Sequence, residues 1–67
     1  MRSIYEIQQF LKTYGTIIYI GERVADLELM EAEITELYNA QLMEQKDFNS
    51  ALLLLRQEIQ KEIDKKK

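Results

Sequence analysis

The chain has 67 residues, a net charge of −3, no Cys, no His, no Pro and two Gly. That length holds one domain at most, and a core of this size rarely leaves more than about 3–5 kcal/mol of net stability. Without Cys or His there is no disulfide, no thiolate or imidazole metal site, and no thiol or imidazole for nucleophilic or acid–base catalysis. The chain therefore reads as a non-enzyme with no cofactor, no metal and no evident small-molecule substrate.

Met1-Arg2 leads straight into an amphipathic segment, not an apolar signal core. No apolar run approaches the roughly 18–20 residues a bilayer span needs. The expectation is a cytoplasmic protein with no membrane segment. Charge is unevenly spread. Between Glu22 and Tyr38 there are six acids and one base, whereas residues 39–67 carry six bases and five acids.

The pattern predicts an all-α fold of three helices. Helix one is expected over about 4–14. Ser3-Ile4-Tyr5-Glu6 has the capping-box form, in which Ser3 caps the Glu6 amide and the Glu6 carboxylate reaches back to the Ser3 amide. Ile4, Ile7, Phe10, Leu11 and Tyr14 recur at three- and four-residue steps and make one core stripe. Gly15 then stands where a left-handed residue ends a helix.

Residues 16–21 are ambiguous. Thr16-Ile17-Ile18-Tyr19-Ile20 is β-branched and aromatic, which favours an extended chain. A lone strand lacks a partner unless a second chain supplies one. The preferred reading is an apolar loop or single helical turn, with Ile17, Ile18 or Ile20 plugging the core.

Helix two is expected over about 22–39, with Val24, Leu27, Met30, Ile34, Leu37 and Tyr38 as its stripe. Helix three is expected over about 48–64, capped by Asp47. Its face is Phe48, Ala51, Leu52, Leu55, Ile59 and Ile63. Ser50, like Ser3, reads as a hydroxyl at a helix start. The short link 40–46 makes helices two and three an antiparallel hairpin, closed by Leu42 and Met43, with helix one covering its apolar face.

Three features exceed what this fold needs. Residues 12–23 combine Lys12, Tyr14, Tyr19 and Arg23 with both glycines. Tyrosine rings stack on bases, and cationic side chains with helix-start amides hold phosphates. The structural account is that Tyr14 packs in the core. Leu53 and Leu54 lie off the core stripe of helix three; with Ile17 and Ile18 they are the candidate surface for a protein partner or for self-association. Scattered surface leucines are, however, common. The third feature, Lys65-Lys66-Lys67, reads as a solvated, frayed end. The acids of helix two, such as Glu33 and Glu36, read as a solvated face, since helical di-metal sites need Glu-x-x-His.

Lys-Thr-Tyr-Gly-Thr-Ile-Ile-Tyr (12–19), Asp-Leu-Glu-Leu-Met-Glu (26–31), Glu-Leu-Tyr (36–38) and Asp-Phe-Asn-Ser-Ala-Leu-Leu-Leu-Leu-Arg (47–56) resemble the YqgQ-like proteins of Gram-positive bacteria. The resemblance covers almost the whole chain and implies a small cytosolic three-helix protein. It implies no established activity. A role in binding single-stranded nucleic acid has been proposed for the family, and it stands here as the alternative to a protein-interaction module. Members often have Gly in the turn after helix two. This chain has Asn39-Ala40-Gln41, so Asn39 is expected to take the left-handed position. A subunit that needs another chain for its chemistry would look the same from sequence.

Overall fold

The computed structural model describes residues 1–66, as three helices: α1 (Ile4–Thr13), α2 (Arg23–Asn39) and α3 (Gln45–Lys65). The described residues include no strand. α2 and α3 pack most closely, as an antiparallel hairpin, and α1 contacts both. The all-α, three-helix reading holds. The core is Ile7 and Leu11 of α1, Leu27, Met30 and Ile34 of α2, Met43 of the turn, and Ala51 and Leu55 of α3. Each helix thus buries residues at three- to four-residue spacing, as one stripe requires. Tyr38 and Phe48 stack across the closed end of the hairpin, with ring centroids 4.2 Å apart.

The helix ends explain where the elements stop. Ser3 Oγ accepts from the Glu6 amide at 3.2 Å, as the capping box predicts. The Glu6 carboxylate, however, takes the Arg2 amide rather than that of Ser3. α1 ends in a Schellman motif. The amides of Gly15 and Thr16 donate to the carbonyls of Lys12 and Leu11, and Gly15 has φ +80°. A left-handed residue is what lets the chain turn back on those carbonyls.

The end of α2 corrects the sequence reading. Asn39 is still helical, and Gln41 takes the left-handed position, with φ +62°. The Gln41 and Leu42 amides close on the Tyr38 and Leu37 carbonyls, repeating the Schellman geometry with its left-handed residue two positions after Asn39. α3 also starts earlier than predicted. Glu44 is its N-cap and makes no side-chain cap bond, so Asp47 sits inside the first turn. Ser50 is likewise internal. Its hydroxyl donates back to the Lys46 and Asp47 carbonyls and accepts from the Met1 amine at 2.9 Å.

Three ion pairs join the α2 region to the α3 region, and two of them offset acids of the α2 region. Glu22, Glu31 and Arg23 of the α2 region meet Lys66, Arg56 and Glu58, at 2.7, 3.5 and 4.0 Å. Exposed pairs of this kind add little to stability, because solvent screens them. Lys66 is therefore tied to the start of α2 rather than frayed, while Lys67 lies outside the described residues. α3 is four residues longer than α2, 21 against 17. Ile63, placed in the core stripe by periodicity, is accordingly 41% exposed.

Both ends of α1 are tied to the closed half of the hairpin. The Met1 amine reaches Ser50, and the Tyr14 hydroxyl donates to the Leu42 carbonyl at 3.4 Å. α2 begins at the opposite, open end, where Glu22 meets Lys66. Seventeen helical residues are about 25 Å long. Residues 15–21 must cover most of that length, and an extended chain at about 3.3 Å per residue just does so. The connection is extended because the topology leaves no slack for a helical turn, and β-branched residues suit that backbone.

Candidate interaction site

The connection is fixed at both ends. The α1 Schellman motif holds Gly15 and Thr16, and at the other end the Ile20 amide donates to Asp26 Oδ1 at 2.7 Å. Gly21, with φ +94°, then turns the chain into α2. Glu22 caps that helix: its carboxylate accepts the Ala25 amide at 2.6 Å and pairs with Lys66. The Lys66 hydrogen bond, then the backbone bond, holds the Glu22 carboxyl below the ordinary carboxylate range. The Glu22 carboxylate in turn raises the Lys66 ammonium above the usual lysine range.

Between these anchors the side chains alternate. Thr16 and Ile18 are half-buried, whereas Ile17 and Tyr19 are 78% and 86% exposed. Ile18 alone of the three isoleucines packs against the core; Ile17 does not, and Ile20 is 56% exposed. Period-two burial is the mark of an extended chain with one face covered. Among the described residues, no group hydrogen-bonds to the backbone of Ile17, Ile18 or Tyr19.

A cleft of about 270 Å³ lies between this segment and α1. Gln8, Gln9 and Lys12 form its α1 side, Thr16 to Tyr19 its other side, and Leu11 and Met30 its floor. Lys12 makes no ion pair among the described residues, in contrast to Arg23, Arg56 and Lys66.

The residues singled out by sequence therefore divide. Lys12, Ile17, Ile18 and Tyr19 meet at the cleft. Arg23 does not line it and instead faces Glu58. Tyr14 is 44% exposed, not in the core as the periodicity suggested, and packs against Phe10 with centroids 5.3 Å apart. Leu54 packs against the core and leaves the candidate surface, whereas Leu53 is 59% exposed on the outer side of α3, away from the cleft. Gln8 and Gln9 were not legible as site residues; being polar and off the α1 stripe, they look like any solvated face. Among the described residues no cluster of three or more acids is placed to hold a metal ion, and no helix is long and apolar enough to cross a membrane.

The fold and cleft define a small three-helix module with one exposed, extended edge. Residues 1–61 match the YqgQ-like family, and the chain belongs to that family. It is 38% identical over 60 residues to the uncharacterized protein YqgQ of Bacillus subtilis (strain 168), a match that covers 90% of this chain and 84% of that protein.

Proposed function

We infer that this chain is a small, non-catalytic interaction module that binds a protein partner through its 16–20 face. One observation carries the reading: Ile17 and Tyr19 are 78% and 86% exposed on a backbone anchored at both ends. Large apolar side chains held out from a fixed backbone lose little freedom on binding, and aromatic groups dominate interface energetics. The perturbed titratable groups, Glu22 and Lys66, form an exposed ion pair at the far end of the connection and serve the helix start. A photo-crosslinking residue at position 19, with a second at position 53 as comparison, tests this in cells of the source organism. A discrete protein adduct from position 19, lost with Ile17→Asp, is the expected result. Adducts only from position 53, or none from either, would overturn it.

A second reading has one observation in its favour. Lys12, the Gln8 and Gln9 amides and the Tyr19 ring share one cleft, which suits a stacked base beside a phosphate. Pairing of Arg23 with Glu58 removes one of its cations. Anisotropy of labelled single-stranded oligonucleotides at two salt concentrations is the test, because phosphate contacts release counterions. Binding at low salt that Lys12→Ala with Arg23→Ala abolishes would establish it.

A further inference from the structure

Resting on the protein-interaction reading, we propose that Thr16–Tyr19 is an unpaired edge that accepts an extended peptide by strand addition. The peptide carries an apolar residue for the cleft and an acidic group for Lys12. Three observations converge on this occupant. Burial alternates along Thr16, Ile17, Ile18 and Tyr19 as in a strand with one covered face. The backbone groups of residues 17–19 have no partner among the described residues, which is the state of a sheet edge awaiting a neighbour. Beside that edge lies the cleft, with an apolar floor of Leu11 and Met30 and an unpaired cation at its rim.

The division of labour follows from strand-addition chemistry. Main-chain hydrogen bonds supply affinity without regard to sequence, and a pocket beside the edge selects alternate side chains. Here the pocket selects one apolar side chain. Lys12 selects a neighbouring carboxylate, because its charge is not already satisfied by the protein. An amphipathic helix fits this surface less well, since its own backbone is satisfied and would leave residues 17–19 unpaired under it. A nucleic acid would meet one unpaired cation at the cleft, with the acids of α2 behind it.

Selection of displayed random peptides on the intact chain, followed by amide NMR mapping with a synthetic copy of the enriched peptide, tests the proposal. Enriched sequences should alternate β-branched and polar residues with an acid adjacent to an apolar position. The Ile17, Ile18 and Tyr19 amides exchange freely in the free protein and become protected in the complex. Lys12→Glu weakens binding by about fivefold, and Tyr19→Ala by about tenfold. Both side chains are exposed, so the variants keep the fold. Peptides that bind over Leu53 and leave the 17–19 amides unchanged would overturn strand addition while leaving a protein-interaction role intact. No enriched peptide, with oligonucleotides shifting Lys12 and Tyr19 instead, would overturn both. Protection of residues 17–19 that grows with protein concentration alone would make the occupant a second copy, and would also overturn the proposal.

Discussion

Replacing Gln41 with glycine should stabilise the protein. Gln41 carries a φ of +62° at the end of α2, while both glycines with positive φ lie in the other connection. An L-residue in the left-handed region is strained by roughly 1–2 kcal/mol, because its Cβ crowds the neighbouring carbonyl. Glycine removes that strain but adds freedom to the unfolded chain, an opposing effect of about 0.4–1 kcal/mol. The difference is a net gain of about 0.5–1 kcal/mol. For a domain this size that raises Tm by roughly 3–6 °C. Gln41 is exposed and makes no side-chain hydrogen bond among the described residues, so little is lost with its side chain. Circular dichroism melts and urea titrations of wild type, Gln41→Gly and Gln41→Ala measure the effect. Gly15→Ala is the opposite control. Its φ is +80° and no atom lies within 4 Å of the added Cβ, so its cost of about 1 kcal/mol comes from the backbone alone. If Gln41→Gly is neutral or destabilising with an unchanged m-value, left-handed strain does not reside at the end of α2.

Glu44→Ser should also stabilise, by about 0.5–1 kcal/mol in urea titrations, because Glu44 is the α3 N-cap and leaves the first-turn amides without a side-chain acceptor. Leu27→Ala should cost about 3 kcal/mol and bring the fold close to collapse, since Leu27 is fully buried. Leu53→Ala should change stability by less than about 0.5 kcal/mol, and paired melts of the two variants separate the α2 core position from the exposed α3 position. The pH dependence has a definite sign at the open end. Glu22 is held below the ordinary carboxylate range, so its contribution is full at neutral pH and is lost as acid protonates it through that lowered value. Lys66 is raised, so its contribution persists through neutral pH and is lost only as pH climbs past the ordinary lysine range. Carbon-detected NMR titration of the Glu22 carboxyl should show a lowered midpoint that returns toward normal in Lys66→Ala.

Much of the fold was legible because periodicity is local information. Ile7, Leu11, Leu27, Met30, Ile34, Ala51 and Leu55 were each assigned to a core stripe by their spacing, and each is buried. The errors cluster where a stripe ends and geometry takes over. Tyr14 and Ile63 continue their stripes, but Tyr14 is the C-cap just past the end of α1, and Ile63 lies in the last turns of the longer α3. Capping residues misled for a related reason. Asp47 and Asn39 are better terminal residues than Glu44 and Gln41, yet the hairpin's closure, with Met43 buried beneath it, fixes the ends elsewhere. Half of the candidate site was legible. Lys12, Ile17, Ile18 and Tyr19 meet because they are near in sequence, whereas Met30 joins them from α2 only through folding.

The connection also shows how a topological demand and a binding surface separate. Because α1 ends at the closed end of the hairpin and α2 begins at the open end, the chain must run back extended, and β-branched residues suit that backbone. Ile18, turned inward, serves this purpose and covers part of the core. Thr or Ser at positions 17 and 19 would span the same distance with no apolar surface in water. The backbone's need therefore explains an extended segment and Ile18, but not the choice of Ile17 and Tyr19. Those two side chains are mostly exposed and are not packed against the core, at the rim of a cleft beside an unpaired Lys12. Their exposure follows from the alternation of an extended chain with one covered face, and an apolar contact outside this fold is what the proposed peptide would supply.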